Sequence, residues 1–386
     1  MQFMNRRVKW LASIALLAVA SGPLSAGAAE PGPVPFKLGT FQGADRDYLG
    51  LVIKNEAVVD IAAANAAWEK RNASAPKLRF PRDMKELIAR YDEELGPRLR
   101  ELARFVSATP GQGFVRSVSK VHSLPPVRPA LIFNAGANYP EHALGIVAQN
   151  TRVAAAEGAA AAVPGAGPPR PPSTQPARSA PGYWERALDD PRPENPYMFL
   201  KSPTAVVGGN DDVVIPRGRE EIDWECEFAV VVGHKAKNVS VKDAPNYVFG
   251  YSSEFDVSDR GSRGDRKMGG GPDWLVQKNH DTFAPIGPYI VPKEFLAHPT
   301  NVRHYFTLNG EIKQDSNTSR MEYNLWEMLS YASNMMTLSP GDMLSLGSPP
   351  GTNIEQQNPR WMRAGDVGVC VVEGVGEQRH NIVAQD

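Results

Sequence analysis

Glu221-Ile222-Asp223-Trp224-Glu225-Cys226-Glu227-Phe228 runs straight into Ala229-Val230-Val231-Val232. Acids alternate with apolar residues, and then the run becomes wholly apolar. A period of two marks a β-strand, on which residues i and i+2 share a face about 7 Å apart. Glu221, Asp223, Glu225 and Glu227 would then line one face beside a core strand. Like charges so placed repel, and a bound cation relieves them. An exposed edge strand is the other reading, and spacing leaves open which acids would hold a cation. Cys226, between two of the acids, projects to the opposite face.

The neighbouring sequence also reads as β structure. Short apolar runs separated by Gly, Pro and Asp recur at Ala205–Val207, Tyr289–Val291, His304–Leu308, Met343–Leu346 and Val367–Val372. This spacing predicts an α+β, mainly β domain, a roll or barrel over residues 126–386. Leu131–Phe133 is a short strand leading to a turn and helix start at Gly136-Ala137-Asn138-Tyr139-Pro140-Glu141-His142. One helix stands out at Asn324–Asn334. Upstream, Pro35–Phe41, Tyr48–Ile53 and Ala57–Ile61 read as strands. Met84, Leu87, Ile88 and Tyr91 recur at helical spacing within Asp83–Val106. These elements predict a small N-terminal domain over residues 29–125. Residues from about 150 to 185 form an Ala/Pro/Gly-rich insertion that cannot bury much surface. Its closeness in sequence to His142 makes it a candidate lid.

Composition bounds the function. The 386 residues are 42% hydrophobic and 22% charged, which is a globular balance. With 42 basic against 43 acidic residues, there is no basic excess to serve as a nucleic-acid footprint. Arg6, Arg7 and Lys9 precede the apolar run Trp10–Ala20 and the small residues Ser25–Ala29. That is the layout of a cleavable secretory signal over residues 1–28, so a periplasmic or secreted location is expected. The Arg6-Arg7 pair leaves a twin-arginine route open, and no later stretch is long enough to span a bilayer. Cys226 and Cys370 are the only cysteines and read as two small buried residues.

A further acid comes from Gly250-Tyr251-Ser252-Ser253-Glu254-Phe255-Asp256-Val257-Ser258-Asp259-Arg260. Oxygen-only ligation suits Mg²⁺, Mn²⁺ or Ca²⁺ rather than Zn²⁺. The glycine-rich, basic segment Gly261–Gly271 lacks Gly-Lys-Ser/Thr and reads as a substrate loop, not a phosphate loop. No Gly-x-Ser-x-Gly elbow of a serine hydrolase is present.

Several motifs in order resemble the fumarylacetoacetate hydrolase family. They are Gly136–His142, Phe199-Leu200-Lys201-Ser202-Pro203, Trp224-Glu225-Cys226-Glu227, Asp256-Val257-Ser258-Asp259-Arg260 and Lys278-Asn279-His280-Asp281-Thr282-Phe283. Asn309-Gly310-Glu311 with Gln314, Leu338–Asp342, Gly347-Ser348-Pro349 and Ala364-Gly365-Asp366 complete the set. The resemblance runs from about Leu131 to Asn381. It implies a mixed β-roll catalytic domain and a homodimer. It also implies metal ligands Glu225, Glu227 and Asp256, His142 as general base, and Lys278 and Arg260 in the pocket. Tyr139, Lys201, Arg263 and Ser348 are then the substrate-binding candidates.

By the same resemblance, the expected activity is Mg²⁺- (or Mn²⁺/Ca²⁺-) dependent C–C hydrolysis of an anionic 2,4-dioxo acid, in aromatic-compound catabolism. Hydratase, isomerase or decarboxylase chemistry in the same family is an alternative, and so is a non-catalytic binding protein. One position departs from the pattern. The acid that often lies three residues after the histidine, and activates water with it, is Gly145 here. Glu141 or an insertion acid such as Glu157 then replaces it, or the dyad is absent.

Overall fold

Asp83 ends an extended stretch, and its carboxylate accepts the N–H groups of Lys85 and Glu86 at 2.8 and 3.2 Å, which starts a helix there. In the computed structural model, which describes residues 32–109, 111–156, 195–261 and 273–386, this helix comes in pieces. It runs as Met84–Ala89, a π turn at Tyr91–Leu95, then Gly96–Ala108. Pro97 accounts for the break, because it has no N–H to give to the carbonyl four residues back. The expected signal segment, the bulk of the Ala/Pro insertion, Glu157 and Arg263 lie outside the described residues.

The N-terminal strands Lys37–Phe41, Tyr48–Ile53 and Ala57–Asp60 pair antiparallel, and Ser123–Leu124 and Val115–Ser117 extend them to a five-stranded sheet. The central sheet has eight strands. Its order is Tyr197–Lys201, Ile132–Gly136, Met343–Ser345, Cys226–Val232, Val248–Phe255, Ala284–Ile286 and Val206–Gly208, with Val291–Pro292 also on Val248–Phe255. The wholly apolar run Phe228–Val232 is central because it is buried on both faces. Ala229 and Val231 face a core shared with the N-terminal Leu38, Leu87 and Leu99. Phe228, Val230 and Val232 face a second core, against the helix Leu325–Met335. Asn324 caps that helix in a box with Glu327.

A further five-stranded sheet is ordered Glu311–Asn317, Arg303–Leu308, Val367–Val372, Gly376–Ala384 and Val213–Ile215. A third core of Trp224, Phe255, Phe306, Leu308 and Ile382 lies between it and the start of the strand Cys226–Val232. The mixed, mainly β roll expected from the sequence is what the chain adopts.

Two expectations are corrected here. Cys226 and Cys370 are not two free buried thiols; they form a disulfide that ties the central sheet to the five-stranded one. Cys226 does point away from its acidic neighbours, but into the space that Cys370 reaches from the strand Val367–Val372. Nor do four acids line one strand. The ladder starts at Cys226, and Ile222–Asp223 pairs separately with Ser258–Asp259. The Asp223 carboxylate takes the N–H groups of Trp224, Asn353 and Ile354 at 2.9, 2.7 and 3.2 Å, which turns the chain out of register. Glu221 is exposed.

Candidate active site

The register of one hairpin brings the acids together. Cys226 pairs with Phe255 and Glu227 with Glu254, so Glu225 comes opposite Asp256, whose N–H donates to the Glu225 carbonyl at 2.8 Å. Glu225, Glu227 and Asp256 each present a carboxylate oxygen within 4.8 Å of the other two, and all three are buried. Of the candidates the alternation offered, Glu225 and Glu227 converge with Asp256, while Glu221 does not and Asp223 turns to Arg260.

Buried cations answer these charges. The Lys278 ammonium donates to Glu225, Asp256 and the Ser258 hydroxyl, each at 2.7 Å. Arg260 reaches Asp223 at 3.0 Å and also pairs with Glu225. Lys201, expected to touch substrate, pairs with Asp256 and donates to the carbonyls of Phe283 and Val257 at 2.6 and 3.2 Å. All three of its hydrogens are thereby used on the chain, so it positions the Asp256 carboxylate instead.

The compensation is incomplete. Asp223, Glu225, Glu227, Glu254 and Asp256 are five buried carboxylates against the three cations Lys201, Arg260 and Lys278. Burial works to raise Glu225, but Lys278 and Arg260 outweigh it and hold its carboxyl far below the usual range. Glu227 has no such partner. Burial first, then the charges of Asp256, Glu225 and Glu254, push it well above the usual range. Burial raises Glu254 to about 7 against the opposing pull of Lys201. Glu227 Oε2 accepts from the Ser345 hydroxyl and the Gly347 N–H at 2.5 and 3.0 Å, while its buried Oε1 has no partner. Three converging carboxylates, one with an orphaned oxygen, in an all-oxygen donor set fit a hard divalent cation.

His142 arrives from the other side. Ala137 sits at φ 54°, and the Asn138 amide donates to the carbonyls of Leu346 and Tyr323 at 2.8 and 2.9 Å. That pins the turn before the helix Pro140–Ala156 and aims His142, in its first turn, into the cavity with Glu225. Its Nδ1 is bonded to the carboxylate of Glu355. Nothing in the sequence pattern pointed to Glu355, which lies 213 residues away. Gly145 explains its presence: a Cβ there would meet Glu355 Cγ at 2.7 Å and Cδ at 2.9 Å. The absent side chain on the helix leaves room for an acid from the loop after Thr352, whose hydroxyl donates to the same carboxylate at 2.7 Å. Glu141 does not fill the role; it pairs with Arg320 at the surface.

The remaining candidates divide. Ser348 lines the cavity and accepts from the Gln314 amide at 2.9 Å. Tyr139 is fully buried, with its hydroxyl on His304 Nε2 at 2.7 Å, and is not among the residues lining the cavity.

Residues 174–383, more than half of the chain, match the family model described as fumarylacetoacetate (FAA) hydrolase C-terminal. The chain belongs to the fumarylacetoacetate hydrolase family. Within it, the chain is 39% identical over 184 residues to the mitochondrial oxaloacetate tautomerase Fahd2a of Rattus norvegicus, covering 48% of this chain and 58% of that one. It spans about three fifths of the length of these curated relatives. An uncharacterized protein of Pyrococcus abyssi is 38% identical over 201 residues, 52% of this chain and 85% of its own. Among solved structures, maleylpyruvate hydrolase from Sphingobium sp. SYK-6, in complex with manganese (II) ion and pyruvate, superposes with a TM-score of 0.61 at 24% identity. The superposition covers 91% of this chain and all of that one, and it shows the shared fold.

Proposed function

We propose that this family member is a divalent-metal-dependent hydrolase of 2,4-dioxo acids. The observation that carries this reading is the His142–Glu355 pair beside the carboxylate triad. Glu225, Glu227 and Asp256 would hold the cation, which supplies Lewis-acid polarisation of the substrate's oxygens. Glu355, as an ionised acceptor, keeps the proton on His142 Nδ1 and leaves Nε2 free as a base. His142 Nε2 takes a proton from water as the water oxygen adds to the C4 carbonyl. The C3–C4 bond then breaks, its electron pair goes to C3, and the proton returns there. The products are a carboxylate, pyruvate and a proton. Arg260 and Lys278 keep positive charge beside the site, where enolate and carboxylate oxygens develop negative charge.

A second reading is a 2-oxo acid tautomerase or isomerase. The 36–39% identity to proteins named oxaloacetate tautomerase favours it. That reaction moves a proton at carbon with the same base and needs no water attack. The experiment is to load the protein with Mn²⁺ or Mg²⁺ and follow the enol absorbance of acylpyruvates and oxaloacetate, with product analysis. Release of pyruvate plus a free acid supports hydrolysis. Enol–keto exchange without chain cleavage, with acylpyruvates left intact, refutes it in favour of the second reading.

The proposal includes an exported homodimer. A disulfide persists in an oxidising compartment, so the Cys226–Cys370 bridge supports export. Among the described residues no helix is long and apolar enough to cross a membrane. Cell fractionation and light scattering of the purified protein test both statements.

A further inference from the structure

The cavity above the carboxylates holds about 350 Å³, within the ~300–1,000 Å³ range of pockets that bury a drug-sized ligand. Its lining combines two chemistries. Glu225, Arg260, Lys278 and Ser348 are polar. Tyr197, Phe199 and Trp274 bring three rings to the same cavity, with Ile146 and Ile354. Phe199 and Trp274 are stacked, with ring centroids 4.5 Å apart and planes at 25°. Tyr197 leans on Trp274 at 5.8 Å and remains 55% exposed. The sequence brings these rings together from two places: the strand Tyr197–Lys201 and the first residue of the helix Trp274–Lys278.

Among the described residues lining the cavity, Arg260 and Lys278 are the cations, and both are bound to Glu225. The Lys278 ammonium lies over the Phe199 and Trp274 rings, 5.1 and 6.0 Å from their centroids, so the rings adjoin the charged groups of the cavity. A flat apolar group beside Tyr197, Phe199 and Trp274 meets rings already held in place by one another.

The geometry points to Tyr197, Phe199 and Trp274 as a tail subsite that selects 2,4-dioxo acids with an aryl substituent on C4. This deepens the proposed function and rests on the same carboxylate-lined cavity. Losing even a methylene-sized apolar contact costs about 10–200-fold in discrimination, so removing the indole is a sensitive probe.

The test compares benzoylpyruvate with acetylpyruvate on the Mn²⁺-loaded protein. Wild type is expected to favour benzoylpyruvate in kcat/KM, and Trp274→Ala to lower that preference by at least about tenfold. Tyr197→Ala, at a half-exposed position that does not threaten folding, is expected to lower it in the same direction. Equal preference in wild type, or variants that affect both compounds alike, overturns the assignment. If neither compound is turned over, the hydrolase reading fails and titration calorimetry with the same two compounds decides the subsite. Weaker binding of benzoylpyruvate alone in the variants supports it, and equal affinities throughout overturn it.

Discussion

Moving the dyad acid from the loop to the helix separates a catalytic role for Glu355 from a structural one. Position 145 lies three residues after His142, on the same helical face. A carboxyl carbon on a glutamate there sits roughly 2.5 Å from its Cβ, from two C–C bonds of about 1.5 Å. The Glu355 carboxyl carbon is 2.9 Å from that same Cβ position, so the two acids would occupy nearly the same place. Three variants follow. Glu355→Gln removes the charge that fixes the His142 tautomer, and kcat is expected to drop about 10²–10³-fold, the range of a general acid–base contribution. At about 1.36 kcal/mol per decade this is roughly 3–4 kcal/mol of transition-state stabilisation. Gly145→Glu alone collides with Glu355 at 2.7 Å and is expected to lose activity as well. Gly145→Glu with Glu355→Ala is expected to recover at least about tenfold over Glu355→Ala, a coupling of the sign that contacting residues give. The assay is acylpyruvate enol loss, with the acid limb of the pH–rate profile recorded for each variant. Glu355→Gln within threefold of wild type, or a double variant no better than Glu355→Ala, refutes the dyad.

Three further outcomes follow from the same physics. Mn²⁺ is expected to raise the thermal midpoint of wild type but not of Glu227→Gln, whose amide mimics the protonated carboxyl of the metal-free state; an unchanged Mn²⁺ response in the variant removes Glu227 from the ligand set. Burial lowers His304 and His380 to about 4, so the unfolded chain binds more protons between that value and about 6.5. Stability is therefore lost as pH falls through this window, by about 3 kcal/mol for each histidine; His380→Gln is expected to flatten part of the slope in urea titrations at pH 4.5 and 7. Reducing Cys226–Cys370, which closes a separation of 144 residues, is expected to cost about 5 kcal/mol on chain-entropy grounds, and unfolding with and without reductant measures it.

The period of two after Glu221 and the apolar run to Val232 were enough to identify a core strand bearing acids, because strand geometry is local and binary pattern sets it. Short runs between turn residues likewise identified a mainly β roll, and ordered motifs identified the family. Local pattern misjudged what depends on a distant partner. It extended the ladder to Glu221, since nothing nearby shows Asp223 capping Asn353 and Ile354. It left Cys226 unpaired, since Cys370 comes into reach only when the two sheets pack. The family resemblance gave Lys201 to the substrate, although the fold spends that ammonium on Asp256. Above all, Gly145 looked like a missing acid. Only the tertiary structure decided that the space it leaves belongs to Glu355, because a side chain's role there is set by which volume is free and not by its place along the chain.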